Sequence, residues 1–203
     1  MKTNTIKKVI SIVIITLVLL LVAATITLAC VKNPLYNPLP TNYDYIDVYN
    51  SNGSATYYLE DGNEKNNTIY NTIAEKHNET LKANLLSEIF QGALKYKAKV
   101  TNTAYSNIQT IINEASVCVV FNFLESQTLE LNGEVYKDDS SFAKEVKYNQ
   151  IVMPVANESE FQECIMYLVT DKTEGKSAYQ VKFLAHQGEL YSYIDSLSIA
   201  GGR

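Results

Sequence analysis

Hydrophobic residues form one long run near the N-terminus of the chain. The run extends from Val9 to Ala29, contains no charged residue and is interrupted only by one serine and three threonines. At about 1.5 Å rise per residue, a helix of this length crosses a hydrocarbon core of about 30 Å. The pattern therefore predicts a membrane helix over residues 9–29.

Charge predicts the direction of this helix. Lys2, Lys7 and Lys8 precede it, and no acidic residue lies before residue 31. By the positive-inside rule, residues 1–8 are a cytoplasmic tail and the rest of the chain lies outside the cell membrane. The predicted localisation is a single-pass cell-membrane protein with an extracytoplasmic C-terminal domain.

The outer end of the run allows three interpretations. Thr27-Leu28-Ala29-Cys30 resembles a bacterial lipobox, in which cleavage precedes a cysteine that becomes lipidated. Ala29 fits that pattern, whereas Thr27 stands where leucine is usual. A retained signal anchor, a lipoprotein attached at Cys30 and a simply cleaved signal peptide therefore all remain open.

The next segment is rich in proline. Pro34, Pro38 and Pro40 favour extended chain, which predicts a stalk over residues 30–42. The extracytoplasmic domain then occupies residues 43–203.

Periodic patterns predict mixed helices and strands in the first half of this domain. Residues 44–50 and 55–60 are rich in Tyr, Ile, Val and Leu, which predicts strands, and they are joined through Asn52-Gly53, a pair typical of a type I′ turn. Apolar residues at helical spacing, among them Ile69, Ile73 and Leu81, predict a long helix over 66–91, started by Asn66 or Asn67 and ended by Gly92. A strand over 95–100 and a helix over 103–114 follow.

The second half favours strands. Val117–Phe123 is almost continuously apolar, as in a central strand buried on both faces. Asn132-Gly133 predicts a hairpin between residues 128–131 and 134–136. Further strands are predicted over 148–155, 163–170 and 177–184, and a short helix over 189–197. The strand over 177–184 is expected at an edge of the sheet, where a partner strand could pair with it. The predicted fold class is α+β: an N-terminal membrane helix followed by one domain, with a mainly antiparallel sheet and one long plus one or two short helices packed on it.

Net charge excludes one class of partner. Three of the 17 basic residues precede residue 31, which leaves 14 against 22 acidic residues and a net charge of −8 for the remainder. The single arginine is Arg203. Because phosphate recognition needs cationic donors, no nucleic-acid or nucleotide partner is expected.

Candidate catalytic residues are few. His77 lies between Glu75 and Glu79, which indicates a solvated helix face, and His186 lies where a turn is expected. Cys118 and Cys164 fall inside apolar strands. Their pattern indicates buried thiols, with a disulfide between neighbouring strands as the alternative.

Two clusters of acidic residues are the remaining candidates for a catalytic or calcium site. They are Asp138 with Asp139, and Glu158, Glu160 and Glu163. Solvated loops are the favoured interpretation, since neither group matches a calcium loop. The chain also has no P-loop, no dinucleotide-binding glycine motif and no nucleophile elbow. No catalytic, cofactor-binding or metal residue is therefore predicted.

Three functional hypotheses remain. The first is a non-enzymatic, membrane-tethered binding or regulatory domain that acts through a protein partner at the cell envelope. Its layout is similar to that of small accessory proteins of Gram-positive sensor kinases and envelope machines, although no residue motif carries the likeness. The second is a lipoprotein that binds a solute or wall polymer through its tyrosine-rich hairpin. The third is a wall hydrolase that uses two of the acids.

Cys30 gives the first testable prediction. If the lipoprotein interpretation is correct, processing will be sensitive to globomycin and mass spectrometry will show a lipid-sized mass increase at Cys30. Cys30→Ser will then block maturation. Normal maturation and localisation of Cys30→Ser would contradict the lipoprotein interpretation.

Overall fold

The structure is a computed structural model that describes residues 10, 12–23, 42–81, 98–131, 135–137, 145–157, 162–170 and 177–199. In chain order, the elements are α1 (12–23), β1 (Tyr45–Asn50), β2 (Gly53–Tyr57), α2 (Glu64–Leu81), β3 (Ala98–Thr103), α3 (Ser106–Glu114), β4 (Cys118–Glu130), β5 (Val135–Lys137), β6 (Glu145–Pro154), β7 (Gln162–Thr170), β8 (Ser177–Ala185) and α4 (Gly188–Asp195). The predicted stop of the long helix at Gly92 lies outside the described residues.

The strands form one sheet in the order β2-β1-β4-β6-β7-β8-β3-β5. Neighbours are antiparallel except for β5, which pairs with β3 in parallel. The predicted α+β class with a mainly antiparallel sheet is therefore confirmed. β4 lies between β1 and β6, and its first six residues are buried on both faces, as its apolar run predicts.

Helices cover the two faces of the sheet unequally. α2 and α4 pack on one face, where Ile73 and Ile194 join the main core with strand residues such as Phe121. α3 packs on the other face, where Ile108 and Ile112 contact a smaller apolar group. Each of these three helices therefore buries one apolar stripe, which is the usual source of helix stability in a folded domain.

The start of α2 differs from the prediction. Asn63, rather than Asn66 or Asn67, caps the helix, because its Oδ1 accepts the backbone N–H of Asn66 at 3.2 Å. The helix begins at Glu64, whose carboxylate suits the positive end of the helix dipole.

The first predicted hairpin is present, but its turn is not type I′. Ser51 and Asn52 form the turn, and among the described residues only glycines have positive φ. Asn50 explains the difference: its Oδ1 accepts the Asn52 N–H at 2.9 Å, and its Nδ2 donates to the carbonyls of Ile194 (2.9 Å) and Leu197 (3.0 Å). The buried amide thus ties the turn to the end of α4.

Two other strand predictions are wrong. The expected hairpin around Asn132-Gly133 would pair β5 with the end of β4, but residues 127–130 of β4 pair with β6, and β5 pairs in parallel with β3. The strand predicted over 177–184 was expected at an edge available to a partner. Instead, β8 lies inside the sheet between β7 and β3.

The predicted N-terminal membrane helix is also wrong. No helix in the described parts of the chain has both the length and the apolar character of a membrane span. The predicted tail over 1–8 lies outside the described residues, as does all of the predicted stalk over 30–42 except its last residue.

The buried amide of Asn50 leads to a stability prediction. Asn50→Ala removes the donor to two carbonyls at the end of α4, and an unpaired buried polar group costs about 1–3 kcal/mol. We expect the free energy of unfolding to fall by about 2–3 kcal/mol in urea titrations followed by circular dichroism. Asn71→Ala, at an exposed position on α2, is the matched control and should change stability by less than about 0.5 kcal/mol. An Asn50→Ala midpoint equal to that of the wild type would contradict this account.

Candidate functional site

Two surface openings meet at the beginning of α4. The larger one, the outer cleft, has a volume of about 850 Å³ and is lined by Lys76, Asn157, His186, Gly188, Glu189, Ser192 and Tyr193. The smaller one, the fork pocket, has a volume of about 390 Å³ and is lined by residues 115–116, 154–157 and 163–165 with Gln187 and Tyr191. Because both contain Asn157, they form adjoining parts of one surface.

The fork pocket exists because β6 and β7 separate. The two strands pair from Gln150–Val169 to Val152–Tyr167. Continuing this register would place Pro154 opposite Ile165, and proline has no N–H to donate to a ladder. Beyond Val152, β6 remains paired with β4, as far as Pro154 opposite Cys118. β7 continues along β8 to Gln162. The pocket lies between these diverging strands.

Gln187 is the main polar group in the fork pocket. The residue is 1% exposed and immediately precedes α4, where its carbonyl accepts the Tyr191 N–H at 2.8 Å. Its side-chain Oε1 accepts the Ala156 N–H at 3.0 Å. Its Nε2 is buried and has no hydrogen-bond partner among the described residues. Since a buried donor without an acceptor costs free energy, this amide is suited to binding a group that supplies one.

The other walls of the fork pocket are largely apolar and chemically inert. Val155 and Cys164 are buried in the main core, and Ile165 packs against the smaller apolar group. Burial raises the pKa of the Cys164 thiol to about 12, and a thiol in this state is a poor nucleophile. Cys118 and Cys164 are both buried and form no disulfide in the described structure, which confirms the predicted buried thiols.

Charged and polar groups surround the outer cleft. Lys76 of α2 contacts Glu189 of α4 at 3.3 Å, with 28% and 90% of the two side chains exposed. An ion pair this exposed contributes little to stability. His186 is exposed at the same rim. The site therefore combines an apolar interior with a charged margin, as protein interfaces do.

A third, polar depression lies on the opposite face of the sheet. It has a volume of about 90 Å³ and includes Tyr45, Asn122 and Gln150. Hydrogen bonds cross three strands here, from Gln150 Nε2 to Asn122 Oδ1 (2.8 Å) and from Asn122 Nδ2 to Asp47 Oδ2 (2.9 Å). Because these amides already satisfy one another, and ligand pockets usually exceed about 300 Å³, this depression is a weak binding candidate.

His77 does not lie on a solvated face, and that prediction is wrong. The side chain is fully buried, with ring-centroid distances of 4.2 Å to Phe121 and 6.0 Å to Tyr43. In the part of the chain that the structure describes, neither ring nitrogen has a hydrogen-bond partner. Burial lowers the pKa of His77 from 6.5 to about 3, and the imidazole is therefore neutral at ordinary pH.

The acidic groups considered from the sequence do not form a site in the described structure. Glu163 is the one acid of the two groups that is described, and its Oε1 contacts Lys182 Nζ at 2.9 Å. Asp138, Asp139, Glu158 and Glu160 lie outside the described residues, as does the predicted lipidation site Cys30. The described residues contain no group of three or more potential metal ligands.

Sequence reasoning missed Gln187. The residue follows a strand and precedes Gly188, which resembles an ordinary connection to a helix. Its burial depends on the position of Ala156, which is distant along the chain. No local signal in the sequence identifies such a contact.

Comparison with known proteins gives little further information. No protein-family model matches the chain. No curated protein matches its sequence. Among solved structures, the chain is similar to YycH from Bacillus subtilis, with a TM-score of 0.40 and 11% identity. The similarity covers 82% of this chain and 39% of that structure. At this TM-score we transfer neither fold nor function from it.

The buried imidazole predicts a pH dependence of stability. The unfolded state takes up a proton on His77 as the pH falls below about 6.5, whereas the folded state does not until about pH 3. This contribution to stability is therefore complete above pH 6.5 and is lost as the pH falls. We expect it to lower the free energy of unfolding by about 2 kcal/mol between pH 8 and pH 5.

His77→Phe should remove this component while keeping an aromatic ring against Phe121. The measurement is urea denaturation of both proteins from pH 8 to pH 5, with the range above pH 7 as the internal control. Parallel stability curves for the wild type and His77→Phe over the whole range would show that this explanation is wrong.

Proposed function

We propose that this chain is a non-enzymatic regulatory domain of the cell envelope that acts by binding a protein partner through the fork pocket and the outer cleft. The observation that carries the proposal is the buried Nε2 of Gln187, a donor without an acceptor in an apolar pocket. A bound partner would supply the acceptor and cover the apolar walls.

The composition of the surface supports a protein partner. Tyr191 lines the fork pocket and Tyr193 the outer cleft. Tyrosine is enriched in protein interfaces because its ring supplies apolar area and its hydroxyl tolerates water. The ion pair between Lys76 and Glu189 lies at the margin, where charges affect the association rate more than the affinity.

The two alternative functions have weaker support. A solute or wall polymer bound at the tyrosine-rich hairpin would use the depression beside Tyr45, which has a volume of only about 90 Å³. A hydrolase would need a second carboxylate close to Glu163. Glu163 Oε1 forms an ion pair with Lys182 Nζ at 2.9 Å, and the other acids of the two groups lie outside the described residues.

Location outside the cell membrane forms part of the proposal. It rests on the lysines before residue 9 and on the lipobox-like segment ending at Cys30. Attachment through a lipid at Cys30 would keep the domain at the envelope.

Site-specific photocrosslinking in cells tests the proposal. p-Benzoylphenylalanine replaces Tyr191 or Tyr193 in the full chain, and Tyr105, at the start of α3 on the other face of the sheet, is the matched aromatic control. We expect one discrete protein adduct from the first two positions and none from Tyr105. The adduct should be lost in Gln187→Glu, which keeps an acceptor for Ala156 but removes the donor.

Two results would contradict the proposal. One is the absence of any protein adduct at Tyr191 and Tyr193. The other is an adduct that forms equally from Tyr105 or that persists in Gln187→Glu, provided that circular dichroism shows this variant to be folded.

A further inference from the structure

We infer that the segment bound in the fork pocket is an extended polypeptide that pairs as a strand with β7 and accepts a hydrogen bond from Gln187 Nε2 through a main-chain carbonyl. This inference rests on the proposed function, and it specifies the conformation and the chemistry of the part of the partner that binds.

The main chain of β7 has hydrogen-bonding groups on the side of the fork pocket. Over residues 164–166, β7 pairs with β8 on one side, while β6 no longer pairs with it on the other. Alternate residues of an antiparallel strand direct their N–H and C=O groups to opposite sides. Some main-chain groups of this segment therefore face the pocket. An added strand satisfies such groups, as in other complexes formed by strand addition.

The contact with Ala156 fixes the orientation of the Gln187 side-chain amide. The Ala156 N–H needs an acceptor, and Gln187 Oε1 provides it at 3.0 Å. Rotating the amide by half a turn would place two donors against each other. Nε2 is therefore held as the free donor of the pocket, and it has no partner there. A main-chain carbonyl of an extended segment is an acceptor of the required kind, and every residue of such a segment carries one.

The fork pocket also restricts the side chains of the bound segment. In a paired strand, successive side chains point to opposite faces. One set would enter a pocket of about 390 Å³ between Val155, Cys164 and Tyr191. We therefore expect apolar residues at alternate positions of the segment, with fewer restrictions on the residues between them.

A library of nine-residue peptides displayed on beads provides the probe. Beads are selected with the labelled full chain, and those that also bind the labelled Gln187→Glu variant are discarded. Selected peptides are then synthesised with a single N-methyl group at each position in turn, and their affinities are measured by fluorescence anisotropy. N-methylation removes the N–H and blocks pairing on that side. We expect losses of at least about tenfold at alternate positions and changes below about twofold between them.

Hydrogen exchange of the wild-type chain gives a measurement that does not depend on a folded variant. A bound peptide should slow exchange in the segment that contains residues 164–166. Exchange at residues 168–169, which already pair with β6, should change little.

The outcomes separate the inference from the proposed function. Peptides that need Gln187 but tolerate N-methylation everywhere, or lose affinity with a helical spacing, would overturn strand pairing and leave partner binding in place. A library without any peptide that distinguishes the wild type from Gln187→Glu, or unchanged exchange at 164–166, would also overturn the inference. Photocrosslinking from Tyr191 and Tyr193 then decides the proposed function separately.

Discussion

The candidate site depends on the pairing of β6, which stays with β4 but separates from β7. β6 pairs with β4 on one side along most of its length, but with β7 on the other only through Val152. Pro154 would stand opposite Ile165 if the second ladder continued, and it lacks the required N–H. The ladder between β6 and β7 ends inside the sheet rather than at its edge. A pocket with apolar walls lies where the two strands separate.

Three buried polar side chains show how differently the fold satisfies such groups. Both polar atoms of the Asn50 side chain are hydrogen-bonded: Oδ1 accepts from the turn and Nδ2 donates to carbonyls at the end of α4. These bonds hold the first turn against α4. His77 makes no hydrogen bond with either nitrogen and packs as a neutral aromatic ring. Gln187 is intermediate, with a paired oxygen and an unpaired nitrogen. Of the three, only Gln187 also lines a surface pocket, where a bound group could supply the missing acceptor.

Much of the secondary structure could be predicted from local patterns. The apolar run of β4 indicated its central position, and alternation located β7 and β8 to within about two residues. The order of the strands depends on contacts distant in sequence, which periodicity does not encode. The apolar composition of residues 9–29 predicts a membrane helix, but no helix in the described residues has both the length and the apolar character of a span. Composition alone therefore does not establish a membrane span.

The errors at His77 and Gln187 have a common physical origin. The apolar stripe predicted for α2 included Ile69, Ile73 and Leu81, and it left His77 among the charged residues. The buried face is in fact centred closer to Tyr70, Ile73 and His77, because Tyr70 turns inward to bond with the main chain of Tyr43. A rotation of a fraction of a turn moves a histidine from solvent to core. In the same way, a single contact with Ala156 turns a connecting glutamine into the polar centre of a pocket. The polar residues that matter most here were thus located by tertiary contacts, which a single sequence does not reveal.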